Sequence, residues 1–206
     1  MTVDMVVFDI GNVLIEWNPE RFYDARIGQA RRAALFAEVP LLEMNDGVDR
    51  GADFLGSVSA LAAAHPAWSE EIMCWHDNWI EMASPAIDRS VRLLRALRAR
   101  GVPVLALSNF GVRTFEIASG HYPFLAEFDH RYISGHIGMI KPETQIYELL
   151  ETTCGVAPGA LLFTDDRADN CAVAAERGWQ VHLFEGPDGW ARRLVAEGLL
   201  TEEDAA

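Results

Sequence analysis

Acidic and hydroxyl residues follow three short apolar runs of the sequence, where their side chains can act together. Asp9 ends the first run, Ser108 and Asn109 follow the second, and Asp165 and Asp166 end the third. Carboxylates that lie close together stay ionised only when a cation lies between them. Oxygen ligands without a cluster of histidine and cysteine favour Mg²⁺ over zinc. These residue types therefore predict a magnesium site with a hydroxyl group beside it.

The sequence contains a single lysine, Lys141, although 17 of its residues are basic. Arginine supplies the other positive charges, so a retained lysine indicates a site where a compact ammonium fits and a guanidinium does not. Chance retention is the alternative interpretation. Mg²⁺ typically takes a ligand from a substrate phosphate, and a hydroxyl and an ammonium can hold the remaining phosphate oxygens. The acids, the hydroxyl and the lysine together match a site that contains a nucleophilic carboxylate, a bound metal and two phosphate-binding groups.

The apolar runs have the form of buried strands with helices between them. The predicted strands are Met5–Asp9, Val104–Leu107, Ala160–Thr164 and Val181–Phe184, with a possible fifth at His130–Ile133. The predicted helices in this part are Ile87–Arg100, Pro142–Cys154 and Arg167–Arg177. Apolar runs in which polar residues do not alternate with apolar ones are typical of a parallel sheet covered on both faces. Strands that alternate with helices along the chain predict a doubly wound, Rossmann-like α/β fold. Ligands bind at the carboxyl ends of such strands. The preference of Asp, Ser and Asn for turns and helix caps explains any one of these polar residues alone. It explains less well why three strands in turn end in such residues.

One long segment breaks the alternation. No strand pattern occurs between about residues 16 and 84, and the helical patterns there are Pro19–Gly28, Gln29–Val39, Ala52–His65 and Ser69–Met82. Such a block is too long for a connection, so we predict a helical cap at 16–84 inserted into a core formed by 1–15 and 85–206. We expect Asn45-Asp46-Gly47 and Arg50 in a cap turn that meets the substrate. Three tryptophans fit the cap's own core better than a substrate pocket, and they are Trp68, Trp75 and Trp79.

Composition limits the partners. The chain has 206 residues and a formal net charge of −14, and this charge disfavours nucleic acid and anionic membranes as partners. Three cysteines without a CxxC pattern indicate a reducing compartment, and the first residues lack the form of a signal peptide. We expect a cytoplasmic protein, a monomer or small homo-oligomer, that binds a small phosphoester.

Four motifs in order resemble the haloacid dehalogenase superfamily of hydrolases, most of which are Mg²⁺-dependent phosphatases. The first is Phe8-Asp9-Ile-Gly-Asn-Val13 and the second is Leu107-Ser108-Asn109. The third is Gly138-Met-Ile-Lys141-Pro142, and the fourth is Phe163-Thr-Asp165-Asp166 with Asn170. The helical block lies where the subgroup with a helical cap carries its cap. Within the superfamily, the pattern is similar to bacterial sugar-phosphate phosphatases of the alpha-D-glucose-1-phosphate type.

The resemblance implies a role for each motif residue. Asp9 is the nucleophile that forms an aspartyl-phosphate, and Lys141 orients it and balances charge. The phosphate oxygens are held by Ser108, Asn109, Lys141 and Asn12. Mg²⁺ is bound by Asp9, the backbone carbonyl of Gly11, Asp165 and Asp166, while Asn170 supports the metal-binding carboxylates.

One position departs from the family pattern. Most of these phosphatases have a second aspartate two positions after the nucleophile, as general acid and base, and this chain has Gly11 there. General acid–base catalysis contributes about 10²–10⁴-fold to rate. Several groups remain open as its replacement: Glu16, Asn12, His136 or a cap residue.

Two alternative functions remain open. A metal-independent 2-haloacid dehalogenase has the same fold, but that group usually carries serine and asparagine where this chain has Asp165 and Asp166. A catalytically weak binding protein is the other alternative, with Gly11 marking lost activity and the cap serving as an interaction surface.

Overall fold

The computed structural model describes residues 2–206 and contains a five-stranded parallel sheet with the order β3-β2-β1-β4-β5. The strands are β1 Met5–Phe8, β2 Val104–Ser108, β3 His130–Ile133, β4 Leu161–Asp165 and β5 Gln180–Leu183. Every neighbouring pair is parallel. This confirms the doubly wound α/β fold, and the fifth strand lies at its predicted residues.

The sheet is covered by helices that begin and end near most of the predicted limits. In chain order the α-helices are α1 Pro19–Ile27, α2 Gln29–Glu38, α3 Leu41–Asp49, α4 Phe54–Ala64, α5 Ser69–Asp77, α6 Trp79–Met82, α7 Asp88–Ala99, α8 Val112–His121, α9 Ser134–Ile137, α10 Thr144–Cys154, α11 Ala168–Glu176 and α12 Pro187–Ala196. Short 3₁₀ turns lie at Pro66–Trp68, Pro123–Ala126 and Pro158–Ala160. Among residues 2–206, no helix has both the length and the apolar character needed to cross a bilayer.

Both faces of the central strands are covered by apolar layers. This explains why polar and apolar residues do not alternate in the sequences of these strands. Phe8 belongs to the apolar layer on one face, where its ring packs edge-on against Trp190 with centroids 5.6 Å apart. The preceding residue, Val7, belongs to the layer on the opposite face with Tyr147 and Phe163. Successive side chains of a strand point to opposite faces, so a strand buried on both faces needs an uninterrupted apolar run.

Six helices, α1 to α6, lie between β1 and α7; we call residues 16–84 the helical insertion. The two segments that join it to the rest of the chain run side by side. The Glu16 amide donates to the Pro85 carbonyl at 2.9 Å, and the Ile87 amide donates to the Leu14 carbonyl at 2.7 Å. These hydrogen bonds hold the first and last residues of the insertion next to each other, a few residues after the end of β1.

The predicted cap turn at Asn45-Asp46-Gly47 and Arg50 is wrong. Residues Leu41–Asp49 form helix α3, which ends just before Arg50. Gly47 inside a helix costs roughly 1 kcal/mol relative to alanine, but the helix buries Leu41 and Val48. Burial of these side chains outweighs the local preference of the Asn-Asp-Gly sequence for a turn.

Other differences concern further helices and their limits. Helices α8, α9 and α12 were not predicted, and the predicted helix Ser69–Met82 is interrupted at Asn78. Helix α10 begins at Thr144 instead of Pro142. Lys141 therefore lies in the turn that precedes the helix, and this turn delivers it to the edge of the sheet.

Candidate active site

The carboxyl ends of the three central strands form the floor of a cavity of about 520 Å³. Asp9 directly follows β1, whereas Ser108 and Asp165 are the last residues of β2 and β4. The parallel register brings these ends level, because Phe8 pairs with Ala106 on one side and with Thr164 on the other. The helical insertion supplies the opposite wall of the cavity.

The Asp9 carboxylate is held through one of its two oxygens. Oδ1 accepts the Ser108 hydroxyl at 2.6 Å and the Ile10 amide at 2.7 Å, and it lies 2.9 Å from the Lys141 ammonium. Within residues 2–206, no hydrogen bond is made to Oδ2. Burial raises the pKa of Asp9 to about 7, against the charge of Lys141. The site thus fixes the carboxylate and leaves one oxygen for the cavity.

Lys141 is buried between two carboxylates. Its ammonium lies 2.6 Å from Asp165 Oδ2 and 2.9 Å from Asp9 Oδ1, and its side chain is only 1% exposed. Burial opposes the positive charge, but the charges of Asp9 and Asp165 hold the pKa of Lys141 above its ordinary value. The only lysine of the chain is therefore a charged group inside the site.

Three carboxylates fit the donor set of a hard divalent cation. Oxygen atoms of Asp9, Asp165 and Asp166 all lie within 4.8 Å of one another. Burial raises the pKa of Asp166 as well, because it disfavours the charged form of a carboxyl that has no bound cation. Gly11 lines the same cavity. Carboxylate and carbonyl oxygens are typical ligands of Mg²⁺, so these residues fit the ion that the sequence predicts.

Asn170 lies behind the cluster on α11. Its side-chain amide donates to both oxygens of Asp165 at 3.0 Å. Its own Oδ1 is buried and has no hydrogen-bond partner among residues 2–206. The Arg167 amide donates to Asp165 Oδ1 at 2.8 Å. These contacts orient the Asp165 carboxylate, and a supporting role for Asn170 remains a prediction.

Ser108 and Asn109 contact protein groups rather than pointing freely into the cavity. The Ser108 hydroxyl donates to Asp9. The Asn109 side chain accepts from the Lys141 amide at 2.8 Å and donates to the Lys141 carbonyl at 3.0 Å. Both residues line the cavity. The structure thus gives them contacts that position Asp9 and Lys141, which residue types could not reveal, while their predicted phosphate contacts stay predictions.

Asn12 occupies the turn after β1 with a φ of 55°, a left-handed conformation that asparagine adopts more readily than most residues. Its amide donates to Asp166 Oδ2 at 2.9 Å, and its Oδ1 accepts the Trp17 amide at 2.9 Å. Asn12 therefore ties the Asp165-Asp166 motif to the start of the helical insertion. Both ends of its side chain are engaged, so its predicted phosphate contact also remains untested.

Aromatic residues form much of the wall above the carboxylates. Trp17, Trp79 and Phe110 line the cavity, and the Trp79 ring centroid lies 5.7 Å from the centroids of both Trp17 and Phe110. The sequence favours the insertion's core over a substrate pocket for Trp79, and its side chain belongs to both, because it is buried in the apolar core and also lines the cavity. Trp75 is fully buried against the Trp17 and Tyr23 rings. The two tryptophans pack at different places because a helix break at Asn78 separates them.

Two of the residues considered as a replacement for the missing acid have other contacts. Glu16 lines the cavity but is ion-paired with Arg21. His136 packs against the Phe115 ring, with centroids 6.1 Å apart. Arg50, once expected near the substrate, pairs with Glu143 at 2.6 Å.

Asp49, a residue that no sequence motif indicates, lies in the cavity wall at the end of α3. Burial raises the pKa of Asp49 to about 7, and the nearby charge of Asp46 adds to this effect. The Asn45 amide donates to Asp49 Oδ2 at 3.0 Å. The four-residue spacing of Asn45 and Asp49 is the signal that would have indicated this residue, but only after a helix had been recognised there.

Comparison with known proteins places this arrangement in a family. Residues 3–178 match the sequence model of the haloacid dehalogenase-like hydrolases. A D-ribitol-5-phosphate phosphatase from Bacteroides thetaiotaomicron is 21% identical over 205 residues, which cover 92% of this chain and 96% of the relative. Drimenol cyclase drtB from Aspergillus calidoustus is 24% identical over 200 residues, or 94% of this chain, but this chain spans only 36% of the length of that protein.

Solved structures show the same fold. An Asp-to-Ala mutant of a haloacid dehalogenase family enzyme from Bacteroides thetaiotaomicron, in complex with magnesium and inorganic phosphate, has a TM-score of 0.65 and 20% identity, covering 87% of this chain and 93% of that chain. The L-2-haloacid dehalogenase from Xanthobacter autotrophicus has a TM-score of 0.61 and 18% identity, covering 97% and 85%. The fold, the ordered motifs and the match over residues 3–178 lead to one assignment: this chain belongs to the haloacid dehalogenase-like hydrolase family.

Proposed function

We propose that this hydrolase cleaves phosphomonoesters through an aspartyl-phosphate formed on Asp9, with Mg²⁺ as its cofactor. One observation carries the proposal. The Asp9 carboxylate is fixed through Oδ1, has Oδ2 free toward the cavity, and lies beside two further carboxylates and the Lys141 ammonium. A carboxylate in this position is suited to nucleophilic catalysis.

In the proposed reaction, Asp9 Oδ2 attacks phosphorus and the bond between phosphorus and the ester oxygen breaks. Water then hydrolyses the aspartyl-phosphate and restores the carboxylate. Ser108 and Lys141 keep the carboxylate oriented through contacts of 2.6 Å and 2.9 Å. Lys141 also keeps positive charge where the phosphate oxygens gather. This positioning is valuable because catalysis of phosphoryl transfer depends mainly on orientation and electrostatic stabilisation.

We infer that Asp9, Asp165, Asp166 and the Gly11 carbonyl would hold Mg²⁺. A bound magnesium ion supplies charge neutralisation between the anionic nucleophile and the phosphate. The inference is supported by the spacing of the three carboxylates and by the magnesium and phosphate found together in the similar enzyme from Bacteroides thetaiotaomicron.

We propose a small phosphorylated metabolite as the substrate, with a sugar or polyol phosphate as the first class to test. The cavity volume of about 520 Å³ lies in the range that holds such ligands, and aromatic side chains of its wall offer flat apolar surface. A relative that covers most of this chain is a D-ribitol-5-phosphate phosphatase. The narrower similarity to alpha-D-glucose-1-phosphate phosphatases remains a prediction.

We further propose that residues 16–84 act as a cap over a core formed by 1–15 and 85–206. The insertion contributes one wall of the cavity, and its two connecting segments are paired next to the nucleophile. Closing a cavity of this kind excludes water and selects the substrate.

A metal-independent dehalogenase is the second candidate, because the solved dehalogenase shares the fold. The additional carboxylates at Asp165 and Asp166 favour the phosphatase, since without a metal the single ammonium of Lys141 has to balance three acids. Incubation with 2-chloropropionate separates the two, because chloride release without Mg²⁺ would support the dehalogenase.

The deciding experiment measures phosphate release from p-nitrophenyl phosphate and from a panel of sugar, polyol and nucleoside monophosphates, with Mg²⁺ and with EDTA. Activity that needs Mg²⁺ is expected, together with its loss in the Asp9→Asn variant. Asp188→Asn, at a solvent-exposed carboxylate that pairs with Arg89, is the matched control and retains activity. Phosphate release by Asp9→Asn at the wild-type rate would disprove the nucleophile, and no release across the panel would favour a binding protein.

A further inference from the structure

The reaction proposed above needs a proton at the departing oxygen, and the family's usual donor position has none. An alkoxide is a poor leaving group, so protonation by a positioned acid typically accelerates such a step by about 10²–10⁴-fold. Gly11 has no side chain, and a Cβ placed there would meet no atom of residues 2–206 within 4 Å. The wall beside the nucleophile is therefore open, and the acid has to come from another part of the cavity.

Three acids line the cavity apart from the carboxylate cluster, and they are Glu16, Asp46 and Asp49. Glu16 is ion-paired with Arg21 and so is held as an acceptor. Asp46 is exposed, and Asp49 is partly buried. On the basis of the proposed function, we propose that Asp49 is the general acid that protonates the leaving oxygen of the substrate and then the general base for the attacking water.

The backbone of Asp49 is fastened to the core of the protein. The Ser134 hydroxyl donates to the Asp49 carbonyl at 2.6 Å and accepts the Phe110 amide at 2.9 Å. A single hydroxyl thus joins the end of α3 to the loop that follows β2. Arg50, the next residue, pairs with Glu143 beside the lysine loop at 2.6 Å. The hydrogen bond to its own carbonyl and the ion pair of the next residue therefore hold the backbone of Asp49 in place.

Glycines allow this close approach. A Cβ at Gly111 would lie 2.5 Å from Val48 Cγ1 and 2.9 Å from the Val48 carbonyl oxygen. A Cβ at Gly51 would lie 2.8 Å from the Gly135 carbonyl oxygen. Distances below 3 Å are too short for a real side chain, so α3 reaches the core only because these positions lack one. This close packing holds the end of α3, and with it Asp49, against the core, and a fixed position is what an acid catalyst requires.

The surroundings of Asp49 favour its protonated form near neutral pH. Burial, with smaller contributions from the charges of Asp46 and Asp9, raises its pKa to about 7, while hydrogen bonds from the Gly111 N–H and the Asn45 amide oppose the rise. The Asn45 amide donates to Oδ2. An acid with a pKa near the working pH is an efficient proton donor that can be recharged in each cycle.

Charged groups on the neighbouring elements are engaged elsewhere. The Asp53 carboxylate caps its own helix α4 by accepting the Gly56 amide at 2.6 Å. His136 of α9 packs on Phe115, and Arg50 is paired with Glu143. The charges that face the Asp49 carboxyl are therefore those of Asp46 and, across the cavity, Asp9.

Asp49 donates one proton and takes one back in each turnover. As the phosphorus–oxygen bond of the ester breaks, Asp49 gives its proton to the departing oxygen, which leaves as an alcohol, and Asp9 carries the phosphoryl group. Asp49, now a carboxylate, takes a proton from the water that attacks the aspartyl-phosphate. The products are inorganic phosphate, the free Asp9 carboxylate and a protonated Asp49, which is the starting state.

The test compares two esters whose leaving groups differ in their need for a proton. Nitrophenolate leaves without protonation, whereas the alkoxide of glycerol 2-phosphate does not. In the Asp49→Asn variant, we expect kcat/KM for glycerol 2-phosphate to fall by about 10²–10⁴-fold, with a loss for p-nitrophenyl phosphate that is smaller by at least a factor of ten. The exposed Asp77→Asn variant, on α5 outside the cavity, keeps both activities.

The outcomes separate this inference from the proposed function. Asp9→Asn loses both activities if the phosphatase proposal is correct, and a wild-type chain that hydrolyses neither ester would overturn that proposal and this one with it. Equal losses for the two esters in Asp49→Asn, with a thermal unfolding midpoint like that of the wild type, would assign Asp49 a structural role only. No loss for either ester would remove Asp49 from the reaction while leaving the nucleophile intact.

Discussion

Removing the Lys141 ammonium tests whether the buried charge cluster is arranged as described. Lys141→Met keeps the length and apolar character of the side chain but deletes the charge that lies 2.6 Å from Asp165 and 2.9 Å from Asp9. Breaking a buried ion pair by removing one partner costs about 3–5 kcal/mol. Because the ammonium serves two carboxylates and its side chain is 1% exposed, we expect a loss of about this size in the free energy of unfolding.

The assay is urea unfolding at pH 8 in EDTA, where the carboxylates remain charged in the unfolded chain and no metal replaces the ammonium. The same measurement at pH 5 should show a smaller loss, because Asp9, whose pKa is about 7 beside Lys141, is then already protonated in the wild type and less buried charge is left without a partner. Mg²⁺ at pH 8 should also restore part of the stability, since an ion that binds only the folded chain stabilises it.

A matched control is Arg113→Met, which removes a charge from an exposed pair with Glu116 and should change the free energy of unfolding by less than about 1 kcal/mol. A loss for Lys141→Met no larger than for this control would refute the reasoning. It would mean that Asp9 and Asp165 do not depend on the ammonium, and that Lys141 is not the counter-ion of the site.

Two further predictions concern the docking of α3 and the titration of Asp49. Gly111→Ala should force α3 away from the core, because the new Cβ would lie 2.5 Å from Val48 Cγ1, and hydrolysis of glycerol 2-phosphate should fall by about 10²-fold. The control is Gly120→Ala, whose Cβ meets no atom within 4 Å. Equal activity of the two variants would contradict the docking of α3. The pKa of Asp49 rises from its ordinary value of 3.8 to about 7 in the folded chain, so its contribution to stability is complete below about pH 4 and is lost as the pH rises toward 7. In EDTA, Asp49→Asn should therefore show a shallower decline in the free energy of unfolding over this interval than the wild type, as measured by urea titration at each pH, and identical slopes would speak against the raised pKa.

The sheet and its polar edge were predictable because they depend on regular features. A strand buried on both faces has to be apolar throughout, so the runs before Asp9, Ser108 and Asp165 identified the three central strands. Parallel strands then bring their carboxyl ends to one edge whatever lies between them. The only lysine was predicted to face this edge, and its ammonium lies between Asp9 and Asp165.

The contacts that depend on distant parts of the chain were not predictable. Asn109 bonds to the backbone of Lys141, a pairing that no spacing along the sequence indicates. Helix α3 was missed because Asn-Asp-Gly favours a turn locally, and its stability comes from burial of Leu41 and Val48. With α3 unrecognised, the position of Asp49 in the cavity could not be inferred either.

The glycine contacts at the end of α3 have a consequence for the order of events in a catalytic cycle. With the proposed acid on a helix of the insertion and the proposed nucleophile on the sheet, neither half of the protein would be competent by itself. An ester that arrives while α3 is displaced meets Asp9 but finds no proton for its departing oxygen. On these proposals, cleavage would require α3 to pack against Gly111 and Gly135, so the same contact that completes the binding cavity would also supply the proton for bond breaking.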